Sequence, residues 1–197
     1  IPTGGFTFVG GGSGGSGDAM IVAGSSTLFT SITQTFLTSQ NGTLALLNGT
    51  STSTINYQGL TKSITDQLTS SSRVYQFGST ADTVTLADDS AAGNGLSRLT
   101  SVASSTPVNF MRPTTLLTVG LAVGNDTMTL SAVDSLFAAG ISVTGDDGTD
   151  SIDATTMSLK VSLVGGLGND TLRGGAGDDD LNGNADNDTI FGNGGKD

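Results

Sequence analysis

Short stretches in which apolar and polar residues alternate recur along the chain. Ile141-Ser-Val143 and Leu159-Lys-Val161-Ser-Leu163 set their apolar side chains on one side and hydroxyl or charged residues on the other. Thr83-Val-Thr-Leu86 and Thr127-Met-Thr-Leu130 behave likewise. Successive side chains of a strand point to opposite faces, so this alternation predicts β-strands with one face buried. Between residues 25 and 70 the pattern is ambiguous. Leu28, Phe29, Ile32 and Phe36 fit one face of a helix, whereas the many Ser and Thr around them favour strand or loop. Asn41-Gly42 and Asn48-Gly49 mark reversals. The Gly/Ser tract from Gly10 to Gly17 reads either as a flexible linker or as a degenerate turn ahead of Asp18-Ala-Met.

The predicted strands are punctuated by a recurring element: an aspartate, a small residue, then an apolar one. It occurs at Asp188-Thr-Ile, Asp179-Asp-Leu, Asp170-Thr-Leu, Asp150-Ser-Ile, Asp126-Thr-Met and Asp82-Thr-Val, with Asp18-Ala-Met as a faint first member. Asp170, Asp179, Asp188 and Asp197 are spaced by nine residues without exception. Upstream the intervals are 20 residues to Asp150, 24 to Asp126 and 44 to Asp82. The last interval divides into two coils of about 22 residues, and a period of that size with short β-branched runs predicts a solenoid. One coil cannot bury its apolar face alone, so neighbours stack and share a core.

Composition narrows the chemistry. The 197 residues contain no Cys, His or Trp. Disulfides, Cys/His metal clusters, imidazole bases and Ser-His or Cys-His nucleophile pairs are therefore ruled out. Paired carboxylates can still do acid–base work, but close groups such as Asp178, Asp179 and Asp180 fit cation ligation better, and the chain is read as a non-enzyme. All 18 acidic residues are Asp, and there are 30 Gly. Both preferences suit tight turns, where the short carboxylate reaches backbone groups and glycine supplies positive φ. The net charge of −11 argues against a nucleic-acid partner, which needs Lys and Arg to displace counterions. No apolar run approaches the ~18 residues of a membrane span, so no membrane insertion is expected. The chain opens at Ile1 without a Met or signal peptide and stops at Asp197 inside a repeat, which reads as a piece of a longer or processed protein.

The nonapeptide template Gly-Gly-x-Gly-x-Asp-x-apolar-x is met in full by Gly165, Gly166, Gly168, Asp170 and Leu172, and again by Gly174, Gly175, Gly177, Asp179 and Leu181. The third copy keeps Gly183, Asp188 and Ile190 but carries Asn184 and Asp186 at glycine positions. The fourth has Gly192, Gly194, Gly195 and Asp197 and is cut before its strand. Gly145-Asp146-Asp-Gly148-Thr-Asp150 fits as well, with Asp146 in place of the second Gly. Leu121-Ala-Val-Gly124-Asn-Asp126 retains only the second half, and the template alone assigns it no cation.

These residues resemble the RTX family of secreted bacterial proteins. The resemblance implies a parallel β-roll with turns of six residues and strands of three, two repeats to a coil, and calcium held between stacked turns by Asp carboxylates and turn carbonyls. It assigns calcium to Gly165, Gly166, Gly168, Asp170, Gly174, Gly175, Gly177, Asp179, Gly183, Asn184, Asp186, Asp188, Gly192, Gly194 and Asp197, together with Asp146 and Asp150. Physical chemistry points the same way. Calcium takes about six to eight oxygens at roughly 2.3–2.6 Å. Stacking would set Asp170 beside Asp188, and Asp179 beside Asp197, at about the 4.8 Å strand spacing. At an effective dielectric near 20 each such pair costs on the order of 3 kcal/mol. A bound dication reverses that sign, so this end is expected to be disordered without calcium and to fold with it.

Farther upstream, Ala81-Asp-Thr-Val-Thr-Leu86 through Ser151-Ile-Asp-Ala-Thr155 resembles the irregular coils of large bacterial surface adhesins. The expected fold is all-β: a right-handed parallel β-solenoid ending in a calcium-binding parallel β-roll. Residues 1–24 form a Gly/Ser-rich N-terminal strand or assembly segment, 25–144 irregular solenoid coils and 145–197 the calcium-binding roll. The expected function is that of a calcium-binding extracellular or cell-surface structural protein: a segment of an adhesin, matrix fibre or self-assembling filament. The alternative is a calcium-triggered folding or secretion appendage of an exported toxin or hydrolase. Expected partners are calcium and either a head-to-tail copy of the chain or further coils of a longer solenoid. Asp66, Asp88, Asp89 and Asp134 are read as turn caps, and Asn41 and Asn48 as potential glycosylation positions.

Overall fold

A computed structural model describes residues 6–9, 19–23, 28–37, 40–58, 60, 63–102 and 107–197. The tract at Gly10–Gly17 and Asp18 lies outside these residues. No helix occurs among the described residues. The strands are β1 (Phe6–Val9), β2 (Ala19–Val22), β3 (Phe29–Phe36), β4 (Gly42–Asn48), β5 (Ser51–Tyr57) and β6 (Ile64–Asp66). There follow β7 (Ser70–Gln76), β8 (Thr83–Asp88), β9 (Leu96–Ser101), β10 (Val108–Met111), β11 (Leu116–Gly120) and β12 (Thr127–Leu130). The last six are β13 (Gly140–Asp147), β14 (Ser151–Asp153), β15 (Val161–Leu167), β16 (Thr171–Arg173), β17 (Asp180–Ala185) and β18 (Thr189–Phe191).

They form two sheets, ordered β1-β2-β6-β10-β9-β8-β12-β14-β16-β18 and β17-β15-β13-β11-β7-β3-β4-β5. From β11 onward the chain alternates between the sheets, and each strand lies parallel to the one two elements later. Upstream, the all-parallel expectation fails. β1–β2, β3–β4, β4–β5, β8–β9 and β9–β10 pair antiparallel, so both sheets are mixed. The interval from Asp82 to Asp126 is likewise not two coils. β8 pairs directly with β12, Val84 against Met128. β9 folds back on β8, and β10 back on β9, so an antiparallel excursion accounts for part of the added length.

The ambiguous stretch at Phe29–Phe36 is a strand. Ile32, Gln34 and Phe36 face inward with period two. Gln34 hid that period because it is polar, yet it is buried and its amide donates to the Tyr57 hydroxyl. Asn48-Gly49 turns β4 into β5, with Gly49 at φ 60°.

The core is built from the inward residues of both sheets. Val84, Met128, Ile152 and Leu172 stack along one, and Val119, Val143 and Leu163 along the other, all fully buried. Burying each stabilises the fold by roughly 1.5–3 kcal/mol. At β18, the last strand of its sheet, Ile190 and Phe191 are each 45 % exposed. In the upstream half the core encloses an ion pair, Arg73 to Asp66 at 2.5 Å. Arg73 also donates to the Leu68 carbonyl and stands over the Phe110 ring, 5.7 Å from its centroid. Asp66, Asp89 and Asp134 cap local amides as expected, at Leu68, Ala91 and Leu136. Asp88 instead belongs to β8, and its Oδ1 has no partner.

Candidate metal centre

Among the connections that run from the eight-stranded sheet to the ten-stranded one are β11 to β12, β13 to β14, β15 to β16 and β17 to β18. They end on Asp126, Asp150, Asp170 and Asp188, and they stack. Each aspartate accepts, through Oδ1, the backbone N–H of the aspartate one coil earlier. Asp126 holds Asp82 at 2.6 Å, Asp150 holds Asp126 at 2.8 Å, Asp170 holds Asp150 at 2.8 Å, and Asp188 holds Asp170 at 2.9 Å. The carbonyls of Asp82, Asp126, Asp150 and Asp170 accept the amides of Thr127, Ser151, Thr171 and Thr189 at 2.8–2.9 Å. The neighbouring asparagines repeat the device. Asn125 accepts Thr149 N–H, and Asn169 accepts Asn187 N–H, both at 2.9 Å.

The second carboxylate oxygens are the informative ones. Oδ2 of Asp126, Asp150 and Asp170 is buried and has no hydrogen-bond partner. An orphaned anionic oxygen out of water is expensive unless a positive group faces it. Its surroundings are oxygen-rich. A Cβ on Gly145 would collide with Asp150 Oδ2 and lie 2.7 Å from the Gly165 carbonyl oxygen. One on Gly165 would collide with Asp170 Oδ2 and lie 2.8 Å from the Gly183 carbonyl. Glycine is needed there to leave room, and carboxylate and carbonyl oxygens from adjacent coils converge in that room. This is the donor set of a hard cation such as calcium.

The opposite edge carries one such pair. Asp197 Oδ1 accepts Asp179 N–H at 3.0 Å, and Asp179 Oδ1 accepts Val161 N–H at 2.9 Å. A Cβ on Gly174 would come within 2.5 Å of Asp179 Oδ2 and 2.6 Å of the Gly192 carbonyl. Here Asp179 Oδ2 also accepts Gly175 N–H at 2.6 Å, so this oxygen is not orphaned. Gly177 packs against the Leu159 backbone, and Gly194 N–H bonds the Gly175 carbonyl at 2.9 Å. Gly183 and Gly192 are closed to a Cβ by Asp188 and Asp197. Asp186 Oδ2 accepts Gly168 N–H at 3.0 Å. Asp146, Gly166 and Asn184 occupy one register position and all have positive φ, which explains why Asp and Asn stand in for Gly there.

Electrostatics mark the same edge. Burial pushes the Asp126 carboxyl up to about 6, with Asp150, Asp82 and Asp146 adding to the rise against the Asp82 amide bond. Burial also raises Asp150, helped by Asp170 and Asp146, and raises Asp170, helped by Asp188 and Asp186. Among the described residues no three carboxylates converge on one point, so a cation here would take much of its shell from backbone carbonyls.

Residues 164–197 carry four copies of the RTX calcium-binding nonapeptide repeat, matching that family's model. The RTX match takes in the turns opening at Gly165, Gly174, Gly183 and Gly192. The turns ending on Asp150 and Asp126 lie upstream of it. No curated protein and no solved structure matches the chain. Sequence reasoning omitted Asp82 and Asp126 from the site, although the Asp-Thr-apolar element signals both. It also attached no role to Asn125 and Asn169, whose position just before the aspartate was the available clue.

Proposed function

We propose that this chain is a calcium-stiffened structural segment outside the cell, part of a bacterial surface adhesin, matrix fibre or self-assembling filament, with no catalytic role. The observation that carries this reading is the row of buried, unpartnered carboxylate oxygens at Asp150 and Asp170, facing carbonyls of the next coil. Calcium would be held along one edge by Asp150, Asp170 and Asp188 with the Gly165 and Gly183 carbonyls. Along the other it would be held by Asp179 and Asp197 with the Gly192 carbonyl. When bound, the ion supplies positive charge between stacked carboxylates. The residues themselves fix the spacing, because each aspartate already ties its own coil to the previous one through Oδ1. Between these edges runs a buried core of stacked Val, Ile, Leu and Met. The alternating parallel strands from β11 to β18 fit a right-handed solenoid, a form suited to bearing load along its axis. Extracellular calcium is abundant and cytoplasmic calcium scarce, which fits folding after export.

Pulling on the intact chain in single-molecule force spectroscopy tests this. Calcium should raise the force needed to open residues 145–197, and chelator should abolish that rise while leaving a weaker upstream unfolding event. Equal forces with and without calcium would refute a stiffening role.

A further inference from the structure

β5 stands at one end of the eight-stranded sheet, and among the described residues no strand pairs with its outer side. Its partner is β4, joined to it through Gly49 and Thr50, with Gly49 at φ 60°. In a two-residue hairpin the pair that closes the loop is hydrogen-bonded, and every second pair follows. Asn48–Ser51, Leu46–Ser53, Leu44–Ile55 and Gly42–Tyr57 are therefore the bonded pairs, and Thr52, Thr54 and Asn56 turn their N–H and C=O groups outward. All three residues are exposed. A bare row of backbone donors and acceptors is a template for another strand, and proteins usually blunt it with charge, proline, a bulge or a short strand. The other sheet ends are blunted in this way. β1 and β18 have four and three residues, and β17 carries the exposed Asp180 and the left-handed Asn184 at φ 70°. β5 has seven residues in unbroken register and none of these devices. Between Asp18 and Lys62 the sequence holds no charged residue, although the chain carries −11 overall. A second copy, repelled by the Asp-rich turns, meets no charge along this edge. β17 lies seven strands away across the sheet, about 34 Å.

We propose that β5 pairs antiparallel with β5 of a second copy about a two-fold axis at Thr54, joining two eight-stranded sheets edge to edge. This register sets Thr54 opposite Thr54 and Thr52 opposite Asn56, so every outward-turned N–H and C=O of the three residues meets a partner. The facing Thr–Thr and Thr–Asn side chains add cross-strand contacts. A two-fold contact uses the same patch on both copies and closes on itself. The product is a head-to-head dimer with its repeat turns at the two far ends, and it forms independently of the calcium reading.

Sedimentation velocity over a concentration series tests this on the intact chain, in calcium and in chelator. A reversible monomer–dimer equilibrium should appear in both, and its persistence in chelator separates it from the calcium reading. The chain has no Cys, so single cysteines report the register. In Thr54→Cys the two thiols face each other across a hydrogen-bonded pair, with Cα atoms about 5.5 Å apart, within disulfide range. In Thr52→Cys they are offset by about 14 Å along the strands. Mild oxidation should therefore cross-link Thr54→Cys at least tenfold faster than Thr52→Cys, with circular dichroism matching the parent for both. Thr54→Lys sets like charges opposite each other and should weaken association at least tenfold; mixing it with Thr54→Asp should restore the dimer. A monomer at every concentration, equal cross-linking at the two positions, or open-ended fibres in place of a dimer would overturn the proposal.

Discussion

Neutralising Asp150 should change the stability of the last coils in opposite directions with and without calcium. Asn keeps the Oδ1 acceptor that holds the Asp126 amide at 2.8 Å, so Asp150→Asn removes charge and the orphaned Oδ2 but not the backbone tie. Asp150 stacks between Asp126 and Asp170. At about 4.8 Å and an effective dielectric near 20 each neighbour contributes repulsion on the order of 3 kcal/mol, which water over an open turn brings down to ~1 kcal/mol. In chelator the variant should therefore hold its coils more firmly by ~1–2 kcal/mol, slowing local hydrogen exchange roughly five- to thirtyfold. In calcium a charged ligand is lost. At a calcium concentration of about 100 times the parent's Kd, binding contributes ~2.7 kcal/mol. A hundredfold weaker site forfeits about 2.3 kcal/mol of that, more than the ~1–2 kcal/mol gained from relieved repulsion, so on balance exchange should speed up. Hydrogen exchange followed by mass spectrometry on peptides covering residues 126–130 and 150–154 reads both limbs. The same sign of change in calcium and in chelator would refute the argument that these carboxylates repel until a cation joins them.

Three further outcomes follow from the same geometry. The folded-state carboxyl of Asp126 sits at about 6 against an ordinary 3.8, so the folded form holds its proton more tightly. The stability this carries is complete below about 3.8 and is lost as the pH rises through 6; circular dichroism in chelator should show more strand at pH 5 than at pH 7, and the reverse trend would contradict it. Gly165→Ala places a methyl against Asp170 Oδ2 and 2.8 Å from the Gly183 carbonyl, so calcium titration should show at least tenfold weaker binding, a loss of ~1.4 kcal/mol or more, while β3–β8 stay folded. Asp66→Ala strands the buried Arg73 guanidinium and should cost ~3–5 kcal/mol; urea unfolding should show that loss equally in calcium and in chelator.

Much of the downstream architecture can be read without coordinates because its periods are strict. Nine-residue register forces aspartates onto stacked turns, and alternation in Leu159–Leu163 forces an inward row. Gln34 and Arg73 defeated the same reasoning upstream. Both are polar residues at buried positions, tolerable because Tyr57 on β5 partners Gln34, and Asp66 and the Leu68 carbonyl, at the end of β6 and in the connection after it, partner Arg73. The excursion of β9 and β10 was hidden for a related reason: 44 residues fit two coils as well as one coil with a detour, and antiparallel return leaves no mark on periodicity.

By itself, the sequence determined that the chain is built of strands, that its aspartates sit in glycine-rich turns, and that residues 164–197 repeat as calcium-binding nonapeptides. Those properties follow from local rules of side-chain alternation and backbone conformation. Only the tertiary structure decided which oxygens are used up and which are left over. Both oxygens of an aspartate look alike in a sequence; stacking gives Oδ1 to the previous coil's amide and buries Oδ2 with nothing to bond. It also carried that arrangement back to Asp126, where the glycine signature is absent, because hydrogen-bond partners are set by the coil alongside rather than by the residues next in line.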